Sequence, residues 1–214
     1  MFDNLAVSLI VRHRQMRVIL NIFLFLFGIG FLILFAGIGL FMAGFGGVDK
    51  DYSVTELKEN FEEKRAEIYE VKNYINKIIL PNKLVHIEFE NNNMVGIFHL
   101  EVDGKFESNW DVKINSNKAD SLLQKLGWTT GTLKTLKEKL DKANCIGITS
   151  GEPCNISFQR SGMGMYSFNL FDKPIADSLK TAYNDGCTYI MVNDRLVLEY
   201  GGGAIGSQCF YNLE

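Results

Sequence analysis

The chain has 214 residues, 47% of them hydrophobic, with a formal net charge of −3 at pH 7. Acidic residues outnumber basic ones over residues 51–214, which argues against nucleic acid or anionic lipid as the main partner, because both are held through basic patches. The apolar residues are unevenly spread, and that unevenness sets the domain organisation.

Residues 1–17 carry Arg12, Arg14 and Arg17 against Asp3. From Val18 to Val48 there is no charged residue, and Asn21 is the only polar side chain. About 20 apolar residues suffice to cross a bilayer as a helix, so the run predicts one transmembrane helix over 18–48, with its core in the lipid bilayer at 20–44. Gly44-Phe45-Gly46 fits a small-x-small cleavage site loosely, but the apolar core is about twice that of a signal peptide. The expected state is therefore an uncleaved anchor. Positive charge favours the cytoplasmic side, and the far side opens with Asp49-Lys50-Asp51. This places residues 1–17 in the cytoplasm and residues 49–214 outside it, as a single-pass protein of the cell membrane. Gly39, Ala43 and Gly47 form a small-xxx-small ladder, and Gly30, Gly37 and Gly44 recur at heptad spacing. Small residues on one face let two helices approach closely, which suggests a homodimer.

Ser53-Val-Thr-Glu56 is a capping box. Leu57, Phe61, Ile68, Val71, Ile75 and Ile78 then recur at helical spacing up to Pro81, so a helix is expected near 53–79. Within the segment 51–80 it either stands off the membrane as a stalk or packs on a sheet. Residues 82–214 read as an extracytoplasmic α+β domain. Residues 84–90 and 94–102 flank the Asn91-Asn92-Asn93 turn, and pairing 87 with 98 and 85 with 100 collects Val85, Ile87, Phe89, Phe98 and Leu100 on one face. At Asp103-Gly104 a two-residue loop sets Leu100 opposite Glu107. A three-residue loop instead pairs Val102 with Phe106, Phe98 with Trp110 and Met94 with Ile114, and is expected on that ground.

Asn117 is expected to cap a helix ending at Gly127. Thr130 or Thr132 opens another to Asn144, with Leu133, Leu136 and Leu140 inward. Strands are expected over 145–149, 154–160 and 165–171, with Ile156 beside Phe168 and Phe158 beside Tyr166. Pro174 starts a helix carrying Ile175, Leu179 and Tyr183. A hairpin turning at Asn193-Asp194 follows, its apolar face made of Cys187, Tyr189, Met191, Leu196, Leu198 and Tyr200, and 207–212 add a strand. The order is αβββα, αβββα, βββ. Ala-Asp-Ser-Leu at 119–122 and 176–179 hints at a duplicated unit.

The candidate chemistry is sparse. The first hairpin sets His86 opposite His99, with Glu88, Glu101 and Asn109 nearby. That group has the donor types for zinc or another divalent ion, although such residues also suit a solvated strand face. Cys145, Cys154, Cys187 and Cys209 allow three disulfide pairings or buried free thiols. A cysteine nucleophile would have only His86 and His99 as a base. Gly201, Gly203 and Gly206 satisfy G-x-G-x-x-G without a βαβ unit to follow. Ser161-Gly-Met-Gly164 reads as a turn, and the Asn155-Ile156-Ser157 sequon lies inside an expected strand. The leading expectation is a membrane-tethered module that binds a protein or small molecule. The alternatives are a metal-dependent enzyme using the His86/His99 face and an assembly protein that dimerises through the glycine face.

Overall fold

In the computed structural model, residues 23–40, 50–201 and 206–210 are described. The chain divides into two compact units, Met1–Val48 and Asp49–Glu214. In the first, helix α1 (Phe23–Leu40) has a mean hydropathy of 2.6 over 18 residues, long and apolar enough to cross a membrane. Its large side chains, from Phe23 to Leu40, are exposed. Gly39 lies on α1, whereas Ala43, Gly44 and Gly47 fall outside the described residues.

The second unit is α+β. It opens with α2 (Val54–Glu63) and α3 (Arg65–Ile78). The capping box is formed: the Glu56 amide donates to Ser53 Oγ at 3.2 Å, and the Ser53 amide donates to Glu56 Oε2 at 2.9 Å. The expected single helix is interrupted at Lys64, where φ is −108° and ψ 17°. Both halves are packed rather than free, with Leu57, Phe61, Ile68, Val71 and Ile75 fully buried.

Eight antiparallel strands follow in one sheet: β1 (Lys83–Asn91), β2 (Met94–Val102), β3 (Lys105–Lys113), β4 (Gly147–Thr149), β5 (Cys154–Ser161), β6 (Gly164–Leu170), β7 (Tyr189–Asn193) and β8 (Leu196–Gly201). Their order is β3-β2-β1-β4-β5-β6-β8-β7. Between β3 and β4 lie α4 (Asn117–Leu126) and α5 (Thr130–Lys142). Ser116, one residue before the expected cap, accepts from the Ala119 amide, and Gly127 closes α4 in the left-handed region at φ 75°. Thr129 caps α5, which turns Leu133, Leu136 and Leu140 inward as expected. One core joins α2 to α5 to a single sheet face carrying Val85, Ile87, Phe98, Ile148, Ile156 and Phe168, among others. Among the described residues the opposite face has no helix layer beyond the single turn α6 (Asp177–Lys180), and a second, smaller apolar cluster there gathers Phe171, Ile175 and Val197 near β7.

The first hairpin has the expected register, with Val85 opposite Leu100, His86 opposite His99 and Ile87 opposite Phe98. The second does not. Val102 pairs with Lys105, Leu100 with Glu107 and Phe98 with Asn109, which is the two-residue loop. Asp103 and Gly104 both take positive φ, 51° and 74°, as a two-residue type I′ turn requires. Two features remove the cost that disfavoured this loop. Glu107 lies on an edge strand, half-exposed, and pairs with Lys125. And β2 and β3 change phase together: Val95 faces Val112 in the core, Ile97 faces Trp110 on the other side, and Gly96 and Asp111 fall between them. Asp111 is left-handed at φ 51°. This shared bulge returns Val112 and Ile114 to the core, so no charge has to be buried to keep them there.

Two further strand differences are also matters of phase. A bulge at Phe158 sets Tyr166 opposite Gln159 rather than Phe158. In the last hairpin Ile190 faces Leu198 and Tyr189 faces Glu199. Ile190 and Val192 therefore join Leu196 and Leu198 on the core face, and Tyr189 and Met191 turn to the other. The helix expected after Pro174 is the single turn α6 (Asp177–Lys180), with no buried residue. The two Ala-Asp-Ser-Leu segments thus sit in unlike settings, one in a packed ten-residue helix and one in an exposed turn. Residues 206–210 form no strand. They run beside β8, the Gln208 amide donating to Tyr200 O and the Phe210 amide to Cys187 O.

Leu57→Ala or Ile68→Ala in the full chain is expected to cost about 2–5 kcal/mol, the usual loss for a truncated core residue. Denaturant midpoints check this, since residues on a free stalk would give a change near zero.

Candidate functional site

The helix-free face holds a cleft of about 690 Å³, within the roughly 300–1,000 Å³ usual for small-molecule sites. Strand alternation supplies its floor. On β5, Cys154, Ile156 and Phe158 point into the core, so Asn155 and Ser157 point into the cleft. On β6, Tyr166, Phe168 and Leu170 are core residues, so Met165, Ser167 and Asn169 line the cleft. The two bulges add residues that strict alternation would have hidden. The β2 bulge turns Ile97 outward, and the β5 bulge places Arg160 opposite Met165.

Arg160 reaches across to Glu88 on β1 and forms a bidentate pair, Nε to Oε1 and Nη2 to Oε2. The Glu88 side chain is 9% exposed and that of Arg160 33%. Opposite Glu88 on β4 is Gly147. A Cβ there would lie 2.7 Å from Ile87 O and 3.3 Å from Glu88 Cβ, so glycine is what lets β4 lie this close to β1. At the other end of the cleft Glu199 Oε2 accepts from Asn155 Nδ2 at 3.0 Å and Asn169 Nδ2 at 2.8 Å, while Oε1 accepts from the Tyr189 hydroxyl at 3.3 Å. Burial and the neighbouring Glu199 raise the Tyr189 hydroxyl to about 12, so it stays a donor. Between these groups, Thr149, Ser157 and Ser167 have side-chain hydroxyls with no hydrogen-bond partner among the described residues.

His86 and His99 meet edge to face, with ring centroids 5.5 Å apart. Burial and then the positive charge that His99 would carry depress the His86 pKa, outweighing the pull of Glu88, and burial depresses that of His99. Both imidazoles are therefore neutral near pH 7. His99 also meets Phe106 at 5.6 Å and Trp110 at 5.2 Å. Its Nε2 is buried within this ring cluster with no hydrogen-bond partner. Phe106 and Trp110, 67% and 58% exposed, form an aromatic wall at the β3 edge.

The structure thus brings His86, His99 and Glu88 to one cleft, as the hairpin register implied, but joins them differently. The Glu88 oxygens are engaged by Arg160. Glu101 lies opposite Phe106 and outside the cleft lining. Asn109, expected beside His99, is displaced to the core-facing register opposite Phe98 by the two-residue turn. Among the described residues no three His, Cys, Asp or Glu side chains gather closely enough to hold a metal ion.

Cys187 and Cys209 are joined in a disulfide, and Cys145 and Cys154 are free and buried. Burial pushes both free thiols up to about 12, which keeps them protonated and poor nucleophiles. Sequence reasoning missed Arg160, Glu199, Asn169, Ser157, Ser167 and Trp110 as members of one site. The polar alternates of β5 and β6 were the available signal, since they face away from the apolar residues that defined the strands. Compared with known proteins, the chain matches no family model, no curated protein and no solved structure.

Two expectations follow. Arg160→Ala leaves Glu88 buried without its partner and should cost about 1–3 kcal/mol in unfolding measurements, with part of the loss recovered in the Arg160→Ala/Glu88→Gln double variant. Because the folded-state pKa of His86 lies below the unfolded value of about 6.5, the unfolded chain binds more protons as pH falls. Stability is therefore kept above pH ~6.5 and declines as pH drops towards the depressed folded-state pKa. Replacing His86 with Gln should flatten that decline, read as unfolding free energy against pH.

Proposed function

We propose that residues 49–214 form an extracytoplasmic binding module, held at a membrane by the helix containing α1, whose ligand seats in the cleft of the helix-free sheet face. The observation that carries this reading is the cleft itself. It combines an apolar floor of Ile97 and Met165 with convergent polar groups, several of them unpaired. Small-ligand sites have that composition. Glu88 is engaged by Arg160, and among the described residues no cleft hydroxyl is hydrogen-bonded to His86 or His99, an arrangement that favours binding over turnover.

Three features support the location. Helix α1 has the length and hydropathy of a membrane span. Arg12, Arg14 and Arg17 precede it, in keeping with a cytoplasmic N-terminus. The Cys187–Cys209 bridge suits an oxidising compartment.

Filling the cleft tests the reading. A ligand bound at about 100 times its Kd adds about 2.7 kcal/mol to stability, so a screen of small molecules and peptides against the full chain should yield compounds that raise the melting temperature. Thr149→Phe, which projects into the cleft and leaves the core intact, should abolish the rise. A rise that survives this substitution would overturn the placement. Protease added outside sealed cells should digest residues 49–214, and protection from it would overturn the topology.

A further inference from the structure

Building on that reading of the cleft, we infer that its ligand is an uncharged saccharide that stacks on Trp110 and hydrogen-bonds across strands β1, β4, β5 and β6.

Among the described residues the only cation lining the cleft, Arg160, is neutralised by a bidentate carboxylate, and Glu199 adds a negative charge with no cationic partner. Phosphates, carboxylates and other anions are therefore repelled. A cation fares little better. Glu199 already accepts three hydrogen bonds, from Asn155, Asn169 and Tyr189, and Glu88 is held by Arg160. A purely apolar ligand would cover Thr149, Ser157 and Ser167 and strand their hydroxyls without water or partner. What suits these three hydroxyls and the unpaired His86 imidazole is a neutral molecule dense in groups that both donate and accept. A polyol ring is such a molecule, and a hydroxyl can take either role at each of these positions.

Trp110 supplies the second half of the match. It stands at the cleft edge, 58% exposed, and is steadied by the His99 ring at 5.2 Å. The shared bulge at Gly96 and Asp111 is what turns it to this face. A pyranose has polar edges and a flatter apolar C–H face, so one ring can lie on the indole while its hydroxyls reach the strand floor. The volume of about 690 Å³ leaves room for a short oligosaccharide.

The test uses the full chain in lipid nanodiscs, because glucoside or maltoside detergents carry head groups of the proposed class. Neutral gluco-, xylo-, manno- and chito-oligosaccharides, their uronic-acid and sialylated counterparts, and a set of short peptides are titrated by calorimetry and tryptophan fluorescence. Binding of at least one neutral series is expected, with little or no binding of the acidic ones. Trp110→Ala should weaken it about tenfold or more, Trp110→Phe should restore part of it, and Ser167→Ala should weaken it with the fold unchanged by circular dichroism. Tighter binding of acidic saccharides, or affinity indifferent to Trp110, would overturn the inference. Capture of peptides or apolar probes alone, blocked by Thr149→Phe, would overturn the saccharide assignment and leave the binding cleft standing. If no probe of any class bound, both would fall.

Discussion

Side chains on a strand alternate between the two faces of its sheet, and among the described residues one of those faces is covered by a layer of helices and the other is left largely open. Everything else in the second unit depends on that constraint. Helices α2 to α5 claim the face that carries Ile87, Phe98, Ile156 and Phe168. Whatever the chain places on the other face is free to do something besides hold the fold together. Where a strand takes an extra residue the assignment to faces is exchanged, so bulges decide which side chains meet in the cleft. Gly96 and Asp111 turn Ile97 and Trp110 into it, and Phe158 turns Arg160 into it. Without these shifts the cleft would lack its apolar floor at β2, its aromatic wall and the Arg160 guanidinium.

The two faces are also stabilised by different means. The helix side is an apolar core in which even a charged residue is accommodated by pairing: Lys72, 3% exposed, reaches the more exposed Asp172 at 2.7 Å. The cleft side buries polar groups instead, and satisfies the most costly of them. The buried Glu88 has a guanidinium and the half-buried Glu199 has three donors, as carboxylates withdrawn from water require. The hydroxyls left over on β4, β5 and β6 cost little while water can reach them. A ligand that displaced that water would have to supply partners for them, since one of the wrong chemistry would leave them unsatisfied. The core and the cleft thus draw on the same sheet without competing for the same atoms.

Much of the fold was legible in the residue pattern. The charge-free run through α1, the capping box at Ser53, the inward leucines of α5 and the register of the first hairpin are local signals, each set by periodicity or by a few neighbouring residues. The pairing of His86 with His99 came from the same source. The errors of strand facing share one cause. The three-residue loop at Asp103, the facing of Phe158 with Tyr166 and the apolar face of the last hairpin all assumed unbroken alternation. A single extra residue in a strand leaves no clear mark in composition, yet it inverts every position beyond it.

Sequence alone therefore determined the span-length apolar helix, the α+β class and the side-chain identities on each strand, because these follow from local spacing and from what water excludes. Only the tertiary structure decided which strands lie side by side. It joined Arg160 to Glu88, 72 residues apart, and Asn155 to Glu199, 44 residues apart. It chose Cys187–Cys209 from the candidate pairings and left Cys145 and Cys154 as buried thiols. These are long-range outcomes of sheet order and bulge position, energies shared over the whole core, and no window of the sequence contains them.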